Sequence, residues 1–433
     1  MTSIFAKIKR GWWLYESAGL TMGELLNLLL NWIIAFVARY NYFFIGLVKA
    51  SQRNVIYGYS RHIPKSIPKE QRKRALMAYL YEALYKENFV GKITYYFSNN
   101  GCPIVMVKAL NEMGYVVDAI GNDNADFQIK DRYDMVILHN PSLIPLWKSK
   151  MPAGIPIIYF EVVAYWREVI KKMQARFEEF NCKYGLQISS EDFDGYKTIA
   201  SNGELYDKNI SLADARIVLG DQLARSFAKF PKTFFTTSGC LPDNSFKKDL
   251  SEENLERGRN NFVFFGGSAH NFRKGLHLLL EVFIGSPYNL YVCSSVNDIL
   301  FKIFSLEKQP NIHLLGYQKQ GAKQFYQLVN NCNFVIHPSC AEGIPGGVLD
   351  TMKYGLIPIV SRECNIINAS KIGVQLEIAS VQEIREVIDA VASKSSSWFK
   401  TRACLAIEEA QTTYSPRAFM EDFKNAITEA QKK

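Results

Sequence analysis

Apolar and polar positions divide the chain into two textures. Leu25 to Val48 is almost continuously apolar and reads as helix. From Lys92 onward, short apolar runs alternate with stretches of helical spacing, the pattern of parallel α/β sheets. In the first half, strands are expected at Ile93–Phe97, Val116–Ile120, Met135–His139, Ile157–Phe160, Ala215–Leu219 and Thr233–Thr237. Helices fit Ile104 to Met113 and the stretch after Asp221. The turn-rich segment Ser238 to Asp243 reads as the start of a linker. The second half repeats the scheme, with strands at Phe262–Phe265, Leu290–Cys293, Ile312–Leu315, Asn333–His337 and Ile357–Val360. Its helices are Gly275–Phe283, Lys323–Asn330, Gly346–Tyr354, Val381–Val391 and a final amphipathic one from about Pro416 to Ala430. Two consecutive α/β domains bind ligands beyond the carboxyl ends of their strands, so a cleft between facing domains is expected.

Composition agrees with a folded, globular chain: 433 residues, 48% hydrophobic and 21% charged, suffice for two domains and an extension. Charge changes the picture more. Residues 1–90 hold 13 Lys/Arg against 5 Asp/Glu, whereas the remaining residues hold 38 against 37. A neutral body argues against nucleic acid as a partner, and the basic N-terminus points to an anionic membrane surface. Within the apolar run, Asn27, Asn31 and Arg39 recur at multiples of four and mark one helix stripe. That favours a helix lying in the headgroup layer. A helix pair packed on the chain's own core and a membrane-spanning helix are the alternatives. Eight scattered cysteines without C-x-x-C spacing read as free thiols in a reducing compartment, so the expected location is cytoplasmic and peripheral to a membrane.

Two clusters carry candidate chemistry. Phe264-Phe265-Gly266-Gly267-Ser268 ends a strand, and Arg273-Lys274-Gly275 opens a helix. Glycines after a strand admit a ligand to the backbone, and a helix start with basic side chains suits phosphate. Taken alone, this cluster also fits an ordinary Gly-rich turn. The second cluster runs from Ser339 to Asp350 after the strand ending at His337. Glu342 and Asp350 flank Gly343-Ile344-Pro345-Gly346-Gly347, whose amides other than that of Pro345 would lack helical partners. A loop acid can hold sugar hydroxyls while a helix acid takes a ribose diol. The six histidines form no metal-ligand spacing, and Asp192-Phe193-Asp194 follows a polar stretch, so it reads as solvated loop and no metal site is expected.

Glu342 and Asp350, with Pro338-Ser339 before and Met352-x-x-Gly355-x-x-Pro358 after, resemble the signature of the family-4 retaining glycosyltransferases. The resemblance extends to Arg273-Lys274-Gly275-Leu276-x-x-Leu279-Leu280-Glu281-x-Phe283 and to Asn311-Ile312-x-x-Leu315-Gly316. It is specific over Asn261 to Ser361, looser over Lys92 to Asp243, and absent from residues 1–90. It implies an α/β, GT-B architecture: two facing Rossmann-like domains with a central cleft, plus a helical N-terminal extension. The domains are then 1–90 (basic, apolar and helical), 91–243 (acceptor side) and 244–410 (nucleotide sugar), with a C-terminal helix, 411–433, crossing back to the first.

The resemblance further implies that Lys274 neutralises the departing diphosphate, Glu342 holds the donor sugar and Asp350 binds the ribose. Gly101, Gly267, Ser268, Arg273 and Gly343 to Gly347 would complete the donor site, and Glu161 and His139 would lie on the acceptor side. Asp350 stands for the usual second Glu, Ser268 for a common Arg, and Glu161 for a His. The reaction implied is retaining transfer of a sugar from a nucleotide-sugar co-substrate, without metal or other cofactor, to a glycan or lipid-linked acceptor. A sugar-nucleotide epimerase of the same fold and a catalytically degenerate, membrane-attached partner of an active transferase are the rival readings.

Overall fold

In a computed structural model of the protein, the described residues are 59–64, 66–80, 84, 101–129, 131–189, 197–238, 246–267, 271–318 and 322–432. Leu25–Val48, the expected strand Ile93–Phe97 and Asp192-Phe193-Asp194 lie outside them. Among the described residues no helix is long and apolar enough to cross a membrane.

The first sheet has seven strands: β1 (Tyr59–His62), β2 (Lys73–Tyr79), β3 (Tyr115–Gly121), β4 (Met135–Leu138), β5 (Ile157–Glu161), β6 (Ala215–Leu219) and β7 (Thr233–Thr236). Their order is β1-β3-β2-β4-β5-β6-β7, parallel throughout except for β1 against β3. The sheet therefore begins inside the segment expected to be a helical extension. Residues 75–79 of β2 are buried and pair with both β3 and β4, placing that strand at the sheet's interior. The surrounding basic residues hide it in the sequence. Arg61 and Arg74 both reach the fully buried Asp118 on β3: Arg61 Nε lies 2.7 Å and Arg74 Nη1 3.6 Å from its carboxylate, so their charge holds the sheet edge together.

The second sheet, β8 (Asn261–Gly267), β9 (Asn289–Ser294), β10 (Ile312–Leu314), β11 (Phe334–His337), β12 (Ile357–Ser361) and β13 (Val374–Leu376), is wholly parallel in the order β10-β9-β8-β11-β12-β13. Its interior strands are apolar because helices cover both faces.

Six helices frame the site and join the two domains: α1 (Gly101–Glu112), α2 (Trp166–Tyr184), α3 (Lys197–Leu212), α4 (Leu276–Phe283), α5 (Gly346–Met352) and α6 (Pro416–Ala430). Two of them trade sides. Although α2 connects β5 to β6, its buried Val169, Met173, Phe177 and Phe180 join the core of the second domain. Phe177 stacks on Phe272 at 4.3 Å between centroids, and Phe180 meets His277 edge-on. In the other direction, Phe419, Phe423 and Ile427 of α6, the last helix, join the core of the first domain, with Phe423 edge-on to Phe160. Asp422 accepts from the Thr237 hydroxyl at 2.7 Å, and Gln431 donates to the Tyr115 hydroxyl.

Phe177→Ala is expected to destabilise the protein by about 3–5 kcal/mol, because the stacked ring leaves a cavity in the core of the second domain. Urea denaturation followed by circular dichroism measures this.

Candidate functional site

The connections of β8 and β11 leave in opposite directions, to β9 and β12, so the second sheet has its switch point between them, where a ligand crevice is expected. Two loops meet there. The first follows Gly267 and carries Phe272, Arg273, Lys274 and Gly275 into α4. Gly275 has φ +84°, and a Cβ there would lie 2.4 Å from the Pro338 carbonyl oxygen, so only glycine permits the approach. The second loop follows His337. The Arg273 carbonyl accepts from the Cys340 amide at 2.9 Å and from the Ser339 hydroxyl at 3.3 Å. Above this seam the Arg273 guanidinium donates to the Ala341 carbonyl and lies 3.3 Å from the Glu342 carboxylate.

Glu342 is the electrostatic centre. Burial alone would push its pKa up, but Arg273, Lys274 and His337, whose Nε2 is 3.5 Å away, outweigh burial and hold it well below the carboxylate range. Burial in turn pulls Lys274 below its ordinary value, with Glu342 opposing the shift. His337 is lowered chiefly by burial, with Glu342 opposing the shift. Gly343 follows at a point where the two domains touch: a Cβ there would lie 1.9 Å from the Val162 carbonyl oxygen, which follows β5. The buried Ile344 leads to Pro345, the N-cap of α5, and no side chain caps that helix. Gly347 packs so closely on Phe265 of β8 that a Cβ would meet the phenylalanine Cβ at 2.7 Å. Asp350, one turn into α5, is buried; that burial raises its pKa to about 8, against the pull of Lys353. It interacts with Tyr317, just beyond β10.

The first domain contributes the ends of β4 and β5. His139 Nδ1 lies 2.8 Å from the Phe160 carbonyl, and the Tyr79 ring meets its imidazole edge-on. Glu161 is not a free surface carboxylate: it accepts from the Tyr159 hydroxyl and from the amides of Val162 at 2.7 Å and Val163 at 3.1 Å. His139, Glu161 and Arg273 line one cavity of about 310 Å³, so residues from both domains face each other across it.

No family model matches the sequence, and neither does any curated protein sequence. Solved structures do match. Sucrose-phosphate synthase from Thermosynechococcus elongatus superposes with a TM-score of 0.55 at 11% identity, over 82% of this chain and 98% of its own. WaaG, a glycosyltransferase involved in lipopolysaccharide biosynthesis, gives 0.51 at 14% identity, over 82% and 99%. TarM, known from S. aureus, gives 0.47 at 14% identity over 67% of this chain, which spans about half, 54%, of TarM. Two parallel sheets with a cleft between them, superposing on both whole proteins of the first pair, decide the architecture.

The fold is GT-B.

Within this GT-B fold, Arg273, Lys274, Glu342 and Gly343 converge at the switch point, and Gly346, Gly347 and Asp350 lie on the helix that leaves it. Gly267 ends β8 with φ +74°; its carbonyl accepts from Ser294 at 2.6 Å, and Ser268 is outside the described residues. Gly101 is buried as the first residue of α1, while the residues before it are not described. Sequence reasoning misses three contributors. Arg176, from the exchanged α2, donates to the carbonyls of Arg273 at 3.1 Å and Pro338 at 2.7 Å, stitching both loops. Asn365 donates to the Gly343 carbonyl at 3.1 Å. His337 reads in the sequence only as a strand end. It does carry a usable signal, a polar residue closing a buried strand five positions before an acid; Arg176 and Asn365 act over long sequence distances and carry none.

Asp350 gives a signed pH dependence. Its folded pKa is raised, so the stability it confers is full below about 3.8 and is lost as pH climbs toward about 8. Asp350→Asn is expected to flatten that decline, seen as a smaller fall in the urea midpoint between pH 5 and 8.

Proposed function

We propose that the chain is a retaining, metal-independent glycosyltransferase that moves a sugar from a nucleotide-sugar donor to a membrane-proximal or lipid-linked glycan acceptor. The observation that carries this reading is the convergence of Arg273, Lys274 and Glu342 at the switch point, beside a helix start that no side chain caps. A departing nucleoside diphosphate needs positive charge placed before it leaves, and fixed charge in a dry site acts without reorganising. Lys274 and the first amides of α5 serve that need. A diphosphate arriving there also favours the ammonium form, against the burial that disfavours it.

Glu342, kept ionised by its neighbours, grips donor hydroxyls. Asp350 takes the ribose diol, and hydrogen bonds from that diol favour its carboxylate. The bond to the leaving oxygen breaks ahead of attack, giving an oxocarbenium-like sugar that the acceptor hydroxyl captures from the same face while its proton passes to the departing diphosphate oxygen. This front-face course asks no general base of the protein. The basic N-terminal segment supports an anionic membrane surface as the working location, on the cytoplasmic side. Surface polysaccharide assembly is the setting proposed, and the shared fold of WaaG, named for lipopolysaccharide biosynthesis, is consistent with it.

Lys274→Ala and Glu342→Ala are each expected to lower turnover at least tenfold, about 1.4 kcal/mol in barrier. Donor consumption by the purified full chain checks this, and unchanged rates overturn the assignment. In a thermal-shift panel of nucleotide sugars, a donor at about 100 times its Kd is expected to add about 2.7 kcal/mol of stability.

A further inference from the structure

Both domains hold α2, at different points along it. Its start is fastened to the first domain. Asp207 on α3 accepts from the Tyr165 hydroxyl, from Trp166 Nε1 at 2.7 Å, from Arg167 Nη2 at 2.9 Å and from Lys229 at 2.8 Å. Lys229 lies between β6 and β7, and its ammonium also donates to the Tyr165 hydroxyl. The Tyr165 amide donates to Ser226 Oγ at 3.1 Å, and the Trp166 ring lies so close to Gly203 of α3 that a Cβ there would fall 2.1 Å from it. No side chain caps α2 at Tyr165, so these contacts fix where the helix begins. Burial alone would raise the pKa of Asp207, but Lys229, Tyr165, Trp166 and Arg167 outweigh it and hold the value at about 2.

The rest of α2 is fastened to the second domain. Val169, Met173, Phe177 and Phe180 sit in its core, Lys172 reaches Glu363 at 3.1 Å, and the Tyr184 hydroxyl donates to Glu281 of α4 at 2.8 Å. Among these contacts Arg176 holds the carbonyls of Arg273 and Pro338, one on each loop of the candidate site. From Trp166 to Arg176 the helix runs about 15 Å. Apolar packing is non-directional, whereas hydrogen bonds weaken steeply once misaligned. The core therefore keeps α2 against the second domain, and the anchored start sets how far along the helix axis Arg176 is delivered.

We propose that Asp207 is a remote positioning residue of the donor site: it fixes the start of α2, and α2 carries Arg176 to the loops that bear Lys274 and Glu342. The proposal rests on the glycosyltransferase reading and adds a residue of the first domain on which donor binding depends. Arg167 and Lys229 share one oxygen of Asp207, so removing the carboxylate leaves two cations side by side at the start of α2. Their repulsion displaces that end, and Arg176 loses its alignment with the two carbonyls. The loops then no longer hold Lys274 and Glu342 in register for a diphosphate.

Binding of UDP, GDP, CDP and ADP to the full chain is measured by calorimetry, which reports affinity and the fraction of competent sites separately. For whichever diphosphate binds, Asp207→Ala is expected to weaken affinity at least roughly fivefold, the lower end of typical coupling between sites, with the fraction of competent sites kept. Arg176→Met is expected to weaken it by a similar factor. Adding Asp207→Ala to Arg176→Met is expected to change affinity by less than about twofold, because residues that act through one another are not additive. Additive losses, or an Asp207→Ala affinity within about twofold of the parent, overturn the proposal with the donor site intact. Fewer competent sites at unchanged affinity overturn it too, since that is loss of folded chain alone. If Asp207→Ala yields no folded chain, Asp207→Asn takes its place in the cycle. It keeps an oxygen for Tyr165 and Trp166 and gives up the ionic contacts, with an expected loss of about threefold, and unchanged affinity overturns the proposal. Absence of binding by all four diphosphates in the parent chain overturns the donor site, and this proposal with it.

Discussion

The seam between the β8 and β11 loops organises this molecule. Gly275 presses on the Pro338 carbonyl, the Arg273 carbonyl takes the Cys340 amide, and the Arg273 guanidinium faces Glu342. Each contact needs the others. Without glycine at 275 the loops separate, and without the seam Glu342 would sit buried with no cation beside it. A buried acid stripped of its partner typically costs several kcal/mol, so the seam is held by the same charges that form the candidate site. Arg176 extends this logic across the domain boundary, because its guanidinium reaches the backbone of both loops.

The two acids of the signature end in opposite electrostatic states. Glu342 meets three cationic or donating side chains and stays ionised, whereas Asp350 meets burial and one opposing lysine, so its proton stays on until about pH 8. Carboxyl groups separated in this way are suited to different tasks, one as fixed negative charge and the other as a group whose proton answers to its surroundings. Shortening the second acid by a methylene fits a position already packed close to β8 through Gly347.

Much of the second domain was legible because its strands are short apolar runs ended by Gly, Pro or acid, and the observed Asn261–Gly267, Phe334–His337 and Ile357–Ser361 differ from expectation only at their ends. The candidate site drew notice in the sequence for a related reason: a Gly-Ile-Pro-Gly-Gly run between acids has little purpose in a plain helix start. The first domain was harder. Lys73–Tyr79 is a central strand introduced by Arg72, Lys73 and Arg74, and charge at that end masked a buried run of Ala75 to Tyr79. For α2, amphipathic periodicity could have announced a helix, but periodicity names a buried face without naming the partner that buries it.

The traded helices bear on how the chain is made. The core of the first domain lacks Phe419 and Phe423 until they leave the ribosome, more than 180 residues after β7 is complete. Meanwhile α2, emerging early, presents Met173, Phe177 and Phe180 to a second core that does not yet exist. Until the second half is made, the apolar side chains of α2 and of the first domain's core therefore wait for part of their native partners, a demand for chaperone cover that a fragment cut between the halves inherits.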